Sequence, residues 1–491
     1  MKAAVWYLLH WLILVTVVPG SLLLSSDEPK PAVIARVEKL SPQIDEISDT
    51  LWDYSELGLK EHQTAAYLVA ILEKAGFQVE RGVAEMPTAF VGTFGQGRPV
   101  IGILAEYDAL PGVGNQPVPE RKPREDGVSS GHGCGHNLFG AASVGAAIAL
   151  KQVMEEQRIE GTLKLFGTPA EETLIGKVYM VKAGVFDGLD AVLDWHPGTT
   201  NEVKNHSGRA MNNFEIEFFG QAAHAAADPW NGRSALDAVE LLNDGVNLMR
   251  EHVMPTTRIH YVIPAGGEAP NVVPEYTKVW YYVRDINRKK VQEYYDWILR
   301  IAEGAALATG TTHKVHLIAG AHEYLLNRPL QEAIQTNLEL VGAPEFSERE
   351  QQFAHDLQKY VGVEEAGFIG EVKPLADKPE PPRGGSTDVA EVSYVAPTAG
   401  FSIATAAEGV PWHSWATTAC HGMSAGRKGA VAAAKVLAAT GADLLTKPEL
   451  VVSLYDFFEQ ATQGKTYESP IPLDQKPPVP SEDNLKEQDD R

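Results

Sequence analysis

Between residues 77 and 198 the chain repeats one pattern, a short apolar run that stops at residues able to titrate or to bind a metal. The run 100–105 stops at Glu106-Tyr107-Asp108. The run 161–166 stops at Gly167-Thr168-Pro169-Ala170-Glu171-Glu172, and 190–194 at Trp195-His196-Pro197. Runs this short, bounded by Gly and Pro, read as strands, and two more lie at 77–80 and 89–92. Helical spacing at 32–56, 61–76 and 138–150 alternates with them, which describes an α/β domain. In such a sheet the C-terminal strand ends are where chemistry is placed.

The segment 131–137 (GHGCGHN) puts a thiol and two imidazoles into seven residues, spaced by glycines that permit tight turns and close approach. Cys134 and His136, two apart, reach one centre only from a loop or a distorted strand end, because an ideal helix would splay them. The helix that follows would set its N-terminus toward an anion or a metal-bound group. Cys420 is the only other cysteine. A Cys134–Cys420 disulfide is the plain reading for an exported chain; the alternative makes Cys134 a ligand and Cys420 a buried thiol. The company of Cys134 favours the alternative. Thiolate, imidazole and carboxylate are all zinc-type donors, and Cys134, His136, Glu172, His196 and His413 suffice for two ions if one donor bridges. At a strand end, adjacent Glu171 and Glu172 point in opposite directions, so one can ligate while the other takes a proton from water. Taken singly, these residues also read as a solvated acidic pair, a hydrogen-bonded core histidine and a histidine packed between tryptophans.

From about residue 208 the texture changes. Strands at 213–219, 258–263, 278–285 and 313–318, with helices at 233–252 and 288–309, give the order βαββαβ of a ferredoxin-like unit. The chain therefore divides into 32–207, an inserted 208–325, and a return at 326–465 that carries helices 329–341 and 426–445. Residues 470–491, rich in Pro and charge, are expected to be disordered. Residues 1–26 hold one lysine and a long apolar run without a clean A-x-A site. They read as a secretory leader, exporting the chain to the periplasm or beyond, or as an uncleaved membrane anchor. A net charge of −23 argues against nucleic acid or anionic membrane as a partner.

The runs Glu106 to Pro111, Gly131 to Asn137, Pro169 to Glu172 and Asp194 to Pro197 resemble the dinuclear metallopeptidase family of aminoacylases, carboxypeptidase G and plant indole-acetyl-amino-acid amidohydrolases. Gly220 to Ala226, Ala269 to Pro274 and Gly385-Ser386-Thr387-Asp388 extend the likeness over roughly residues 31–446. The Gly-Cys-Gly-His-Asn and Gly-Ser-Thr-Asp forms most resemble the aminobenzoyl-glutamate hydrolase branch. The resemblance implies a zinc-peptidase-like α/β domain with a central mixed sheet, and an inserted ferredoxin-like domain that serves as lid and homodimer contact. It implies two divalent ions per chain, Zn or Mn, with Co also suited. Cys134 would bridge them, His136 and His196 would complete one ion, and Glu172 and His413 the other. Glu171 would be the general base, with Asp108 behind a ligand imidazole. The partner subunit's His224 would stabilise the oxyanion. Asn271 and Arg284 would hold a substrate carboxylate, with Ser386 and Thr387 lining the same site. The chain departs from many relatives at Asn137, Phe139 and Glu106, which bears on metal preference and specificity.

The expected activity is hydrolysis of an N-acyl or N-aroyl amino acid, aminobenzoyl-glutamate among them, or of a dipeptide, as an aminoacylase or carboxypeptidase would act. A serine or thiol hydrolase is the rival enzyme, but no G-x-S-x-G elbow occurs and Cys134 is crowded by would-be ligands. A binding protein on the same fold is the other rival, and the presence of Glu171 weighs against it.

Overall fold

The computed structural model describes residues 28–480; the leader or anchor read at 1–26 lies outside them. The larger sheet has strands β1 (Gln78–Arg81), β2 (Phe90–Gln96), β3 (Val100–Ala105), β4 (Gly161–Gly167), β5 (Ala191–Gly198), β6 (Glu202–Val203) and β11 (Thr398–Ala404), in the order β1-β2-β4-β3-β5-β11-β6. Strands β4, β3, β5 and β11 run parallel, and β1, β2 and β6 pair antiparallel at the flanks. The parallel strands are apolar on both faces, as covered parallel strands must be.

Helices α3 (His136–Gln157) and α11 (Ser424–Thr446) pack together against this sheet, and α1 (Pro29–Tyr54) packs on both of them. Their small residues permit the closeness: a Cβ on Gly145 would lie 2.5 Å from Ile44, and one on Gly441 2.5 Å from Leu150. By composition α3 and α11 are apolar and long enough to cross a bilayer, yet both are buried in the core. Around them lie α2 (His62–Lys74), α4 (Gly176–Lys182), α7 (Arg328–Val341), α8 (Glu348–Val361), α9 (Val389–Val392), α10 (Trp415–His421) and α12 (Pro448–Thr462).

Between β6 and α7 the chain builds a second sheet from β7 (Ala210–Phe219), β8 (Arg258–Ala265), β9 (Tyr276–Asp285) and β10 (Thr312–Ala321), antiparallel in the order β10-β7-β9-β8. Alternate residues of β9, Val279, Tyr281 and Val283, turn inward onto α5 (Ala235–Met249) and α6 (Arg288–Thr309). The helix expected at 233–252 starts later, because Ser234 caps it through a hydrogen bond from Asp237 N–H.

Residues 106–135 form the loop that leads from β3 to α3 at His136. One local expectation changes. Residues 470–480, expected to be disordered, lie against the protein: Ile471 is buried, and Gln475 Nε2 donates to Tyr179 Oη at 2.7 Å and to Leu317 O at 2.5 Å. Residues 481–491 lie outside the described residues.

Candidate metal centre

The four parallel strands deliver their C-terminal ends to one place. Glu106 and Asp108 follow β3, Glu171 and Glu172 follow β4, His196 sits near the end of β5, and His413 is on the loop after β11. Cys134 arrives from the loop before α3, and His136 is the first residue of that helix. There Gly135 has φ +82°, and a Cβ on it would lie 2.7 Å from Pro197, so only glycine fits that turn.

Cys134 Sγ lies 3.5 Å from His196 Nε2 and 3.3 Å from His413 Nε2, and His413 Nε2 is 3.5 Å from Glu172 Oε2. One thiol proton cannot serve both imidazoles. Donors held about 2.0–2.3 Å from a tetrahedral ion stand about 3.3–3.6 Å apart, which is the spacing found here. The ligand atoms fall into the groups Cys134/His136/His196 and Cys134/Glu172/His413, which share the cysteine. A third group, Glu106/His136/Glu171, adjoins them.

The tautomers are set from behind. His136 Nδ1–H donates to Asp108 Oδ1 at 2.8 Å and His196 Nδ1–H to Pro197 O at 2.7 Å, which leaves each Nε2 as a lone pair. His136 Nε2 is buried without a hydrogen-bond partner, as is Glu172 Oε1. Asp108 Oδ2 accepts from Glu172 N–H at 2.9 Å, so one carboxylate positions both halves of the site. His132, the other imidazole of the segment, stays outside: its Nε2–H donates to Leu51 O at 2.9 Å, and burial lowers it to about 3, a neutral structural group.

Glu171 and Glu172 do not diverge by strand alternation. They form a single 3-10 turn after Ala170, whose φ is +55°. Glu61, fully buried, holds that turn by accepting from Ala170 N–H at 2.9 Å. Burial, with Glu106 and Asp388 close by, drives Glu171 far above the usual carboxylate range, and burial lifts Glu172 to about 7. Burial likewise lifts Asp194 and Asp388 to about 7. So many acids cannot all ionise together in a dry site unless positive charge is added, which two divalent ions would supply. The donor set fits them.

Lys177 is in the site although nothing in the sequence singled it out, and it is joined there by Asp388, the last residue of the Gly-Ser-Thr-Asp run. Lys177 Nζ, fully buried, reaches Glu106 Oε1 at 2.8 Å and Asp388 Oδ1 at 2.6 Å. Burial opposes its charge, but those two carboxylates hold it protonated. Lys177 N–H also donates to Asp388 Oδ2, which fastens the Gly-Ser-Thr-Asp turn to α4.

Cys134, Glu171, Glu172, His196 and His413 open on one cavity of about 590 Å³, with Arg284, Ser386 and Thr387 in its wall. His224 and Asn271 do not line it. They sit together on the second domain, where Ala225 N–H donates to Asn271 O at 3.0 Å, and both are exposed. His224 Nδ1 accepts from Ala226 and Ala227 N–H, so its proton is on the outward Nε2. Neither cysteine is paired; both are buried and free.

Residues 102–382 match the model of peptidase family M20/M25/M40. The chain belongs to that family. It is similar to a p-aminobenzoyl-glutamate hydrolase subunit of Escherichia coli, at 38% identity over 458 residues, 88% of this chain and 95% of that protein. It is also similar to the Xaa-Arg dipeptidase of Mus musculus, at 30% identity over 85% of this chain and 89% of that one. Among solved structures, an aminobenzoyl-glutamate utilization protein from Klebsiella pneumoniae shares the fold, with a TM-score of 0.58 at 19% identity over 85% of this chain and 98% of that one. So does a dinuclear metal binding M20 peptidase from Bacillus subtilis, with a TM-score of 0.55 at 19% identity over 84% and 99%. The protein is an M20 metallo-amidohydrolase, a hydrolase of amide or peptide bonds, with a central mixed sheet and a separate four-stranded domain.

Proposed function

We propose that this amidohydrolase cleaves the amide bond of an N-acyl or N-aroyl amino acid such as aminobenzoyl-glutamate, or of a dipeptide. The observation that carries the reading is the pair of donor groups sharing Cys134, with Glu171 beside them, opening on a cavity that holds an unpaired Arg284. Bound Zn, Mn or Co ions would polarise the amide carbonyl and lower the pKa of water. Glu171 accepts the proton of the attacking water and returns it to the departing nitrogen. Arg284 binds the carboxylate of the departing amino acid through its guanidinium fork. Phe401 and Trp412 in the cavity wall give an acyl or aroyl group an apolar surface.

The same reading makes the active unit a homodimer joined through the second domain. Strand β8 is an edge of its sheet and exposes Val262 and Ile263, while α5 exposes Leu241 and Leu248. Pairing two such edges about a two-fold covers them. In that dimer the partner's His224 and Asn271 would reach a cavity that their own chain does not bring them to.

The test is an assay of the purified protein on aminobenzoyl-glutamate, N-acyl amino acids and dipeptides. Hydrolysis should stop in a chelator and return with Zn²⁺, Mn²⁺ or Co²⁺. Full activity in the chelator, or inertness toward the whole panel after metal loading, contradicts the reading.

A further inference from the structure

An acid at the head of a helix ordinarily caps it, and Glu61, just before α2, does not. The first amides of α2 are taken by Glu56, whose Oε1 accepts from Gln63 N–H at 3.1 Å and whose Oε2 accepts from Thr64 N–H at 2.8 Å. The Glu61 side chain turns inward instead and is fully buried. It has no ion pair among the described residues, and its Oε2 has no hydrogen-bond partner. Burial, and then the charge of Asp108, lift its carboxyl to about 8. A core that only needed filling would be better served by an apolar residue. What the carboxyl does hold is Ala170 N–H, through Oε1 at 2.9 Å. Ala170 stands at φ +55° and ψ +41°, a left-handed conformation that disfavours any residue with a Cβ. Glu171 follows it directly and makes no side-chain hydrogen bond among the described residues; its Oε2 is 4.0 Å from His136 Nε2. The turn alone aims it. The loop that carries Glu61 also touches the backbone beside Asp108. Leu57 pairs with Ala109, Ala109 N–H donates to Glu56 O at 2.8 Å, and a Cβ on Gly58 would lie 3.0 Å from Ala170 Cα.

We infer that Glu61 is a positioning residue for the hydrolytic reaction: by holding Ala170 in its left-handed turn, it aims Glu171 at the water to be deprotonated. The inference rests on the amidohydrolase reading above, in which Glu171 is the base. Glu61 lines no part of the cavity and belongs to none of the donor groups, so it acts only through Ala170. That work needs an acceptor at Oε1 and no charge. Glutamine, of the same length, can do it, and methionine, of similar volume, cannot. A role confined to filling the core would rank the two the other way, because an apolar side chain relieves a desolvated polar group. Without Glu61, Ala170 is free to leave the left-handed region. Glycine enters that region as readily as the right-handed one, so glycine at 170 should return part of what Glu61 supplied.

The experiment measures kcat, KM, metal content and amide hydrogen exchange on Zn²⁺-loaded wild type, Glu61→Gln, Glu61→Met, and Glu61→Met combined with Ala170→Gly, using whichever compound of the panel the wild type hydrolyses best. Glu61→Gln should stay close to the wild type. Glu61→Met should lose about 10²-fold in kcat, the span of a misplacement near 1 Å, while KM and both ions are kept. Exchange in the peptide 168–175 should quicken in Glu61→Met and not in Glu61→Gln. Adding Ala170→Gly to Glu61→Met should restore kcat by about tenfold. Gly58→Ala, which presses on Ala170 with Glu61 in place, serves if Glu61→Met folds poorly, and should lower kcat in the same way. Wild-type kcat and exchange in Glu61→Met overturn the inference, as does a glycine that restores nothing. A loss shared by Glu61→Gln also overturns it, because the acid itself would then be what matters. A loss that comes with a missing ion does the same, because it places the effect at a metal ligand. If the wild type hydrolyses nothing in the panel, the proposed reaction falls, and the exchange pattern still decides whether Glu61 holds the turn.

Discussion

Asp108 serves both halves of the metal centre with separate oxygens: Oδ1 fixes the His136 tautomer and Oδ2 holds the Glu172 backbone. Asp108→Asn keeps the shape but replaces one acceptor with an NH₂ that must face a donor. Either His136 surrenders its Nδ1 proton or Glu172 N–H loses its partner. Affinity for the ion on the His136 side should fall by about 10- to 100-fold with the fold intact, read by competition against a chelator. Unchanged affinity would mean that Asp108 does not position the ligands. At this scale much of the site was legible, because Glu171, Glu172 and His196 stand where apolar runs stop, Cys134 and His136 share one glycine-spaced segment, and His413 lies in a loop between tryptophans. Lys177 was not. Lysine in a short mixed sequence reads as surface, and only the tertiary fold buries Lys177 between Glu106 and Asp388.

Alternation made the βαββαβ order legible, since β9, and β7 from Phe214 onward, bury one face and show the other. Strand β11 escaped for the opposite reason: it is covered on both sides, so its residues Thr398–Ala404 carry no period, and Gly400 interrupts them. There a Cβ would come within 2.6 Å of Asp194 Oδ2, so close approach to β5 decides the residue. Opposite orientations of Glu171 and Glu172 were anticipated from strand alternation, whereas the two stand in a 3-10 turn held by Glu61. The edge strand β8 carries its own prediction. Glu171→Gln and His224→Ala homodimers should each be nearly inactive. Refolded together in equal amounts, about half the dimers are mixed and each has one intact site, so about a quarter of wild-type activity should return. No recovery, in a sample shown by mass to contain mixed dimers, means that His224 acts within its own chain or not at all.

For the molecule as a whole, a parallel core gathers donors from β3, β4, β5 and the loop after β11 at one edge, and the second domain contributes Arg284 to the cavity they share. On the proposed reading the neighbouring glutamates do different work, Glu171 in proton transfer and Glu172 in holding an ion. The direct test measures metal content and turnover together on Glu171→Gln and Glu172→Ala, each loaded with Zn²⁺ or Mn²⁺ after chelation. Glu171→Gln should retain two ions per chain while kcat falls by about 10³-fold, and Glu172→Ala should retain one. Loss of an ion from Glu171→Gln with full loading of Glu172→Ala would contradict the account and exchange the two roles.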